Sequence, residues 1–195
     1  MKSLIPIFVI FALTSCSGLR PVTDDSRYFV LTPQPMDDRN STPAVGVGRI
    51  KMADYLKSKG IVTRRGENEI QYSDRFIWAE SLEKSLERLI ASELSATNAF
   101  PGAWRREQVR AEVYISIERF EIDESGGATL AAHWRIVGPG SGPILYSGSS
   151  RISKPSPPLN VDPNTAALRL SDCVADLVRE IRAALQRLPN LEEKP

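Results

Sequence analysis

The residue best placed for chemistry in this 195-residue chain is Cys16. It closes the run Leu13-Thr14-Ser15-Cys16, directly after an apolar stretch from Leu4 to Leu13 that a lone Lys2 precedes. About ten apolar residues suit the hydrophobic region of a secretory signal and are too few to span a bilayer of roughly 30 Å. Small residues before a Cys make the run resemble a bacterial lipobox, with cleavage ahead of Cys16 and acylation of that residue. Residues 1–15 are then lost, and acyl chains on Cys16 hold the remainder on a membrane. Each buried methylene contributes about 0.8 kcal/mol, so several chains anchor firmly where one does not. Ser17 stands where an Asp commonly signals inner-membrane retention, which favours the outer membrane, facing the periplasm.

The other reactive side chains support little chemistry. Cys173, the second cysteine, lies among apolar residues of a predicted helix and reads as a buried, inert thiol. With Cys16 acylated, no internal disulfide can form. His133 is the only histidine, and one His without a second or a Cys pair cannot build a typical zinc site. By alternation it points away from Leu130, Trp134 and Ile136, toward solvent or a partner. Gly140-Ser141-Gly142 lacks the G-x-S-x-G spacing of a nucleophile elbow. Gly46-Val47-Gly48 has no third glycine and no following helix, so close packing or a bulge explains it better than phosphate binding. We therefore expect no catalytic residues, no metal and no cofactor. Without Lys2 the chain carries 24 basic and 24 acidic residues, a balance unlike that of a nucleic-acid binder.

The elements that would position these residues follow from period and punctuation. Residues 16–27 read as the acylated Cys and a tether, and 28–31 as a strand. A Pro-rich loop over 33–43, a strand at 45–50 and a turn-rich link over 51–60 come next. Strand 61–64 and residues 70–72 form a hairpin around Glu67-Asn68. Trp78, Leu82, Leu86, Leu89, Ile90 and Leu94 repeat at helical spacing and predict a helix over 78–95, with Glu80 in its first turn and a stop at 98–102. From Val109 to Ile136 two strands alternate around Ser125-Gly126-Gly127, and a slip between Ile117 and Phe120 predicts a β-bulge. A turn at 138–142 and a third strand at 144–152 complete a meander. After Pro155-Ser156-Pro157-Pro158, the stripe Leu170, Val174, Leu177, Val178, Ile181, Leu185 and Leu188 predicts a helix over about 163–187. The fold class is α+β: an antiparallel β-sheet with two amphipathic helices packed on one face, following the signal peptide. The folded domain spans 28–188, and 189–195 is a tail.

Several segments together resemble one family. Val45-Gly46-Val47-Gly48, Tyr55-Leu56, Ile61-Val62-Thr63-Arg64, Glu67-Asn68, Trp78-Ala79-Glu80 and Leu82 occur in the order and spacing of the ABC-type transport auxiliary lipoproteins, the PqiC-like family. Lys51-Met52-Ala53 and Glu80-Ser81 depart from it where a Pro is common. The resemblance implies a non-catalytic docking role beside an MCE-domain protein and ABC transporter subunits of a lipid transport system. A homo-oligomer is compatible with that role. The expected partner-binding residues are Tyr55, Leu56, Arg64, Phe76 and Trp78, with Trp78 also able to anchor the first helix in the core. A stand-alone lipid-binding lipoprotein is the alternative, and it requires a cavity or open groove between helices and sheet.

Overall fold

The computed structural model describes residues 24–33, 45–94, 109–156 and 163–188. The signal peptide, Cys16, most of the tether, the loop after Pro33, the stop at 98–102, Pro157-Pro158 and the 189–195 tail lie outside the described residues. In chain order the elements are β1 (Arg27–Phe29), β2 (Val45–Val47), β3 (Lys51–Met52), a short 3-10 helix (Asp54–Lys57), β4 (Gly60–Arg65) and β5 (Glu69–Trp78). Then come α1 (Leu82–Leu94), β6 (Ala111–Asp123), β7 (Ala128–Val137), β8 (Ile144–Lys154) and α2 (Pro163–Gln186).

Strand β6 organises the sheet because its alternation lasts longest. Ala111, Val113, Ile115 and Ile117 turn to the core, while Glu112, Tyr114 and Ser116 face the other way. One edge pairs antiparallel with β7, which pairs antiparallel with β8. The other edge is shared: β2 and β3 lie parallel to its first half, and β4 lies parallel to its last residues. Beyond β4 come β5, antiparallel, and β1, parallel to β5. The α+β arrangement is as the sequence indicates, and the sheet is mixed, with the antiparallel meander forming one end of it. Parallel joins arise because β2 and β3 return to β6 from far upstream rather than through a tight turn. The predicted bulge is present: Ile117 opposes Ala132 and Arg119 opposes Ala131, which leaves Glu118 unmatched.

Both helices cover one face. Helix α2 lies on β6, β7 and β8, and α1 packs beside it over β2 and the 3-10 helix. Leu86, Ile90 and Leu94 of α1 and Leu170, Val174, Leu177, Val178 and Ile181 of α2 are all 0 % exposed. Burial of each such side chain contributes about 1.5–3 kcal/mol. Arg182 Nη2 donates to the Glu93 carbonyl at 2.7 Å, giving a partner to a carbonyl in the last turn of α1, which the helix itself leaves open.

Helix α1 begins one turn later than its apolar spacing suggests. Ser81 Oγ accepts from the Lys84 amide at 3.4 Å and its carbonyl accepts from Ser85 at 3.1 Å, so Ser81 caps the helix. Trp78 is instead the last residue of β5, and Glu80 precedes the helix. The Glu80 carboxylate accepts from Ser85 Oγ at 2.7 Å and pairs with Arg88, which together hold it below the ordinary carboxylate range. Two glycines answer to close approach. A Cβ on Gly60 would sit 2.3 Å from the Ser73 carbonyl oxygen, where β4 and β5 slip register. One on Gly48 would sit 2.7 Å from the Tyr114 ring, so close packing explains that glycine.

Candidate functional site

The 3-10 helix separates Tyr55 from Leu56. Leu56 is fully buried beneath α1. Tyr55 turns to the sheet face away from the helices, where its hydroxyl lies 2.9 Å from the Glu118 carbonyl oxygen and 3.0 Å from Glu121 Oε2. Arg64, from β4, reaches the same carboxylate: Nη2 donates to Glu121 Oε2 at 3.0 Å and Nε bonds Oε1. Its Nη1 donates to the Glu67 carbonyl at 2.7 Å. Arg119 is the third residue to reach this carboxylate, its Nε donating to Glu121 Oε1 at 2.7 Å. The Glu121 side chain is only 1 % exposed.

Such a carboxylate is buried but not isolated. Burial alone would raise its pKa; the hydrogen bonds from Arg64 and Arg119, with that of Tyr55, outweigh burial and hold it below the ordinary range. Burial first, and then the Glu121 charge, pushes the Tyr55 phenol up to about 12. The bond to Glu121 raises the Arg64 guanidinium further. None of the three changes protonation near neutrality, so the cluster acts as a latch joining the 3-10 helix, β4 and β6. Beside it, exposed His133 Nε2 lies 3.1 Å from Glu118 Oε1, pointing away from the helices as its alternation requires.

The five expected partner-binding residues do not form one surface. Tyr55 and Arg64 meet on Glu121. Leu56 is 0 % and Trp78 5 % exposed, so neither offers surface to a partner. Leu56 is the apolar half of its 3-10 turn, and Trp78 packs against Phe120 with ring centroids 6.3 Å apart. These two side chains pack in the core, the place the sequence also offers for Trp78. Phe76 is half-buried, edge-on to Phe29 at 6.1 Å, and lines a groove of about 360 Å³ with Ile61, Thr63, Gln71, Ile122 and Ala166. Glu121 and Arg119 escape a sequence reading because charged residues on an alternating strand look like a solvated face. Only the placement of Tyr55 and Arg64 above them reveals burial.

At the opposite edge, Trp134 stacks on Tyr146 at 5.3 Å and donates from Nε1 to Ser150 Oγ at 2.9 Å. Ile144, Leu145 and Tyr146 at the start of β8 are 59 %, 38 % and 37 % exposed. Cys173 is buried, and that burial pushes its thiol up to about 12.

Comparison with known proteins gives the chain its context. The family model described as "ABC-type transport auxiliary lipoprotein component" matches residues 29–182. A solved protein from Xanthomonas campestris superposes with a TM-score of 0.64 at 17 % identity, covering 82 % of this chain and 95 % of that one. A second solved structure, of an uncharacterised protein, gives 0.62 at 15 % identity, covering 80 % and 98 %. At these identities the likeness shows the fold alone. No curated protein sequence matches the chain.

Proposed function

Because this chain belongs to the family of ABC-type transport auxiliary lipoprotein components, we propose that it is a non-catalytic docking subunit, anchored through acylated Cys16 in the outer membrane and facing the periplasm. Its partners are an MCE-domain protein and the ABC subunits of a lipid transport system. Residues 28–188 form the docking domain. The observation that carries this reading is the family match, which spans β1 through most of α2.

A packing observation favours docking over lipid carriage. The helix layer closes on the sheet: Leu86, Ile90, Leu130, Val174 and Val178 meet with no exposed surface. A domain that carried lipid between these layers would need them parted. The alternative, a stand-alone lipid-binding lipoprotein, would have to use the open groove beside Phe76 instead.

The test is a mild-detergent pull-down of the full-length protein from its own cells after reversible crosslinking, with Cys16→Ser as control. Co-enrichment of an MCE-domain protein and its ABC subunits, lost in Cys16→Ser, is the expected result. Recovery of the lipoprotein alone, with co-purifying phospholipid, would move the assignment to lipid binding. Density-gradient separation of the two membranes tests the outer-membrane placement.

A further inference from the structure

Strand β1 is the first element after the anchor, and it ends the sheet order β1-β5-β4-β6-β7-β8. Its side chains divide sharply. Phe29 is 7 % exposed and packs edge-on to Phe76, whereas Tyr28 is 64 % and the following Val30 48 % exposed. Alternation puts Tyr28 and Val30 together on the face away from the helices. The length of chain that precedes this exposed pair bears on what the pair can meet. Cys16 precedes Arg27 by eleven residues. At roughly 3.3–3.6 Å per residue such a stretch spans at most about 40 Å. Once Cys16 is acylated, the β1 edge can stand no further than about 40 Å from the membrane that holds it.

We propose that Tyr28 and Val30 form a membrane-contact patch, which seats the β1 edge of the domain on the bilayer bearing the acyl chains. The inference rests on acylation of Cys16. Tyrosine suits this place because its ring is apolar and its hydroxyl stays with water and headgroups. The contact need not be strong. Anchoring makes it intramolecular, so a patch too small to recruit a free protein still holds a tethered one. Charge contributes little: Asp25 pairs with Arg75, and Asp24 and Arg27 oppose each other in sign. The contact is therefore apolar and indifferent to the anionic lipid content.

The experiment is hydroxyl-radical footprinting of the full-length lipidated protein, comparing vesicles with detergent micelles. The vesicles are phosphatidylethanolamine with 10 % or 40 % phosphatidylglycerol, on the order of a bacterial range and chosen to vary surface charge. Tyr146, on β8 at the far edge, is the internal control. Mass measurement and vesicle flotation come first: a chain that is not acylated and does not float overturns the anchor, and with it the patch. For protein that floats, Tyr28 should oxidise severalfold more slowly on vesicles than in detergent micelles, with Tyr146 unchanged at both lipid compositions. Equal Tyr28 oxidation in all samples would overturn the patch while leaving the anchor intact. Protection of Tyr28 and Tyr146 together, or only at 40 % phosphatidylglycerol, would replace it with nonspecific or electrostatic adsorption.

Discussion

Glu121 shows how one buried carboxylate can serve architecture without serving catalysis. Its two oxygens take donors from Arg64, Arg119 and Tyr55. Replacing it by Gln leaves two guanidiniums beside a neutral amide, so Glu121→Gln should cost about 2–4 kcal/mol, read from the urea midpoint. Tyr55→Phe removes one neutral donor and should cost about 1 kcal/mol. The pH dependence has a definite sign. The folded-state pKa of Glu121 lies below its unfolded value, so the unfolded chain binds more protons as acid is added. The stabilisation is whole above the ordinary carboxylate range and is lost as pH falls through the folded pKa. Glu121→Gln should lose that part of the acid dependence, which urea titrations across the acid range would register. Cys173 makes the opposite case of a reactive group withheld. Because its thiol is buried and raised to about 12, a disulfide reagent at neutral pH should leave it untouched in Cys16→Ser and modify it only on unfolding.

Elements with a strong period can be read from the chain, and those that depend on distant partners cannot. Helix α2 spans Pro163–Gln186, and its stripe from Leu170 to Leu185 is buried as the spacing predicts. The β6–β7–β8 meander and its bulge are equally legible, since alternation and its interruption are local. Strand β3 is not: two residues, Lys51 and Met52, have no period, and only β6 beside them makes a strand. Trp78 misleads because a stripe cannot show which residue caps a helix, whereas Ser81 can. The Arg64–Glu121 latch is hidden for a related reason, as its burial comes from elements that local pattern does not connect. At this scale the register slip between β4 and β5 yields a sharp expectation. Gly60→Ala forces a methyl group against the Ser73 carbonyl oxygen, so it should destabilise by more than about 2 kcal/mol. A comparable change at exposed Ser149 should stay within about 0.5 kcal/mol by thermal unfolding.

At the scale of the whole molecule, the sheet has two unlike ends. One carries β1, the first element after the proposed anchor. The other carries β8, with Ile144, Leu145 and Tyr146 exposed. Five strand spacings separate them, about 24 Å at 4.8 Å per strand. The proposed seating of the first end on lipid would leave the second standing off the surface, where a docking partner would meet it. The pull-down of the proposed assembly should therefore weaken in Ile144→Ser with Leu145→Ser and hold in Tyr28→Ser; crosslinking yield with each variant measures the difference.

The shared edge of β6 also governs how this chain can acquire its structure. Strands β2, β3 and β4 all find partners on a strand synthesised well after them, and the core they face is closed by α2 near the end of the chain. A chain delivered N-terminus first can join β1, β4 and β5, but β2, β3 and the inner edge of β4 wait for β6. Pairing between segments so distant in sequence is slow, and unpaired apolar strands associate readily with one another. In a chain exported N-terminus first, β6 and α2 therefore arrive after the strands they must join and cover.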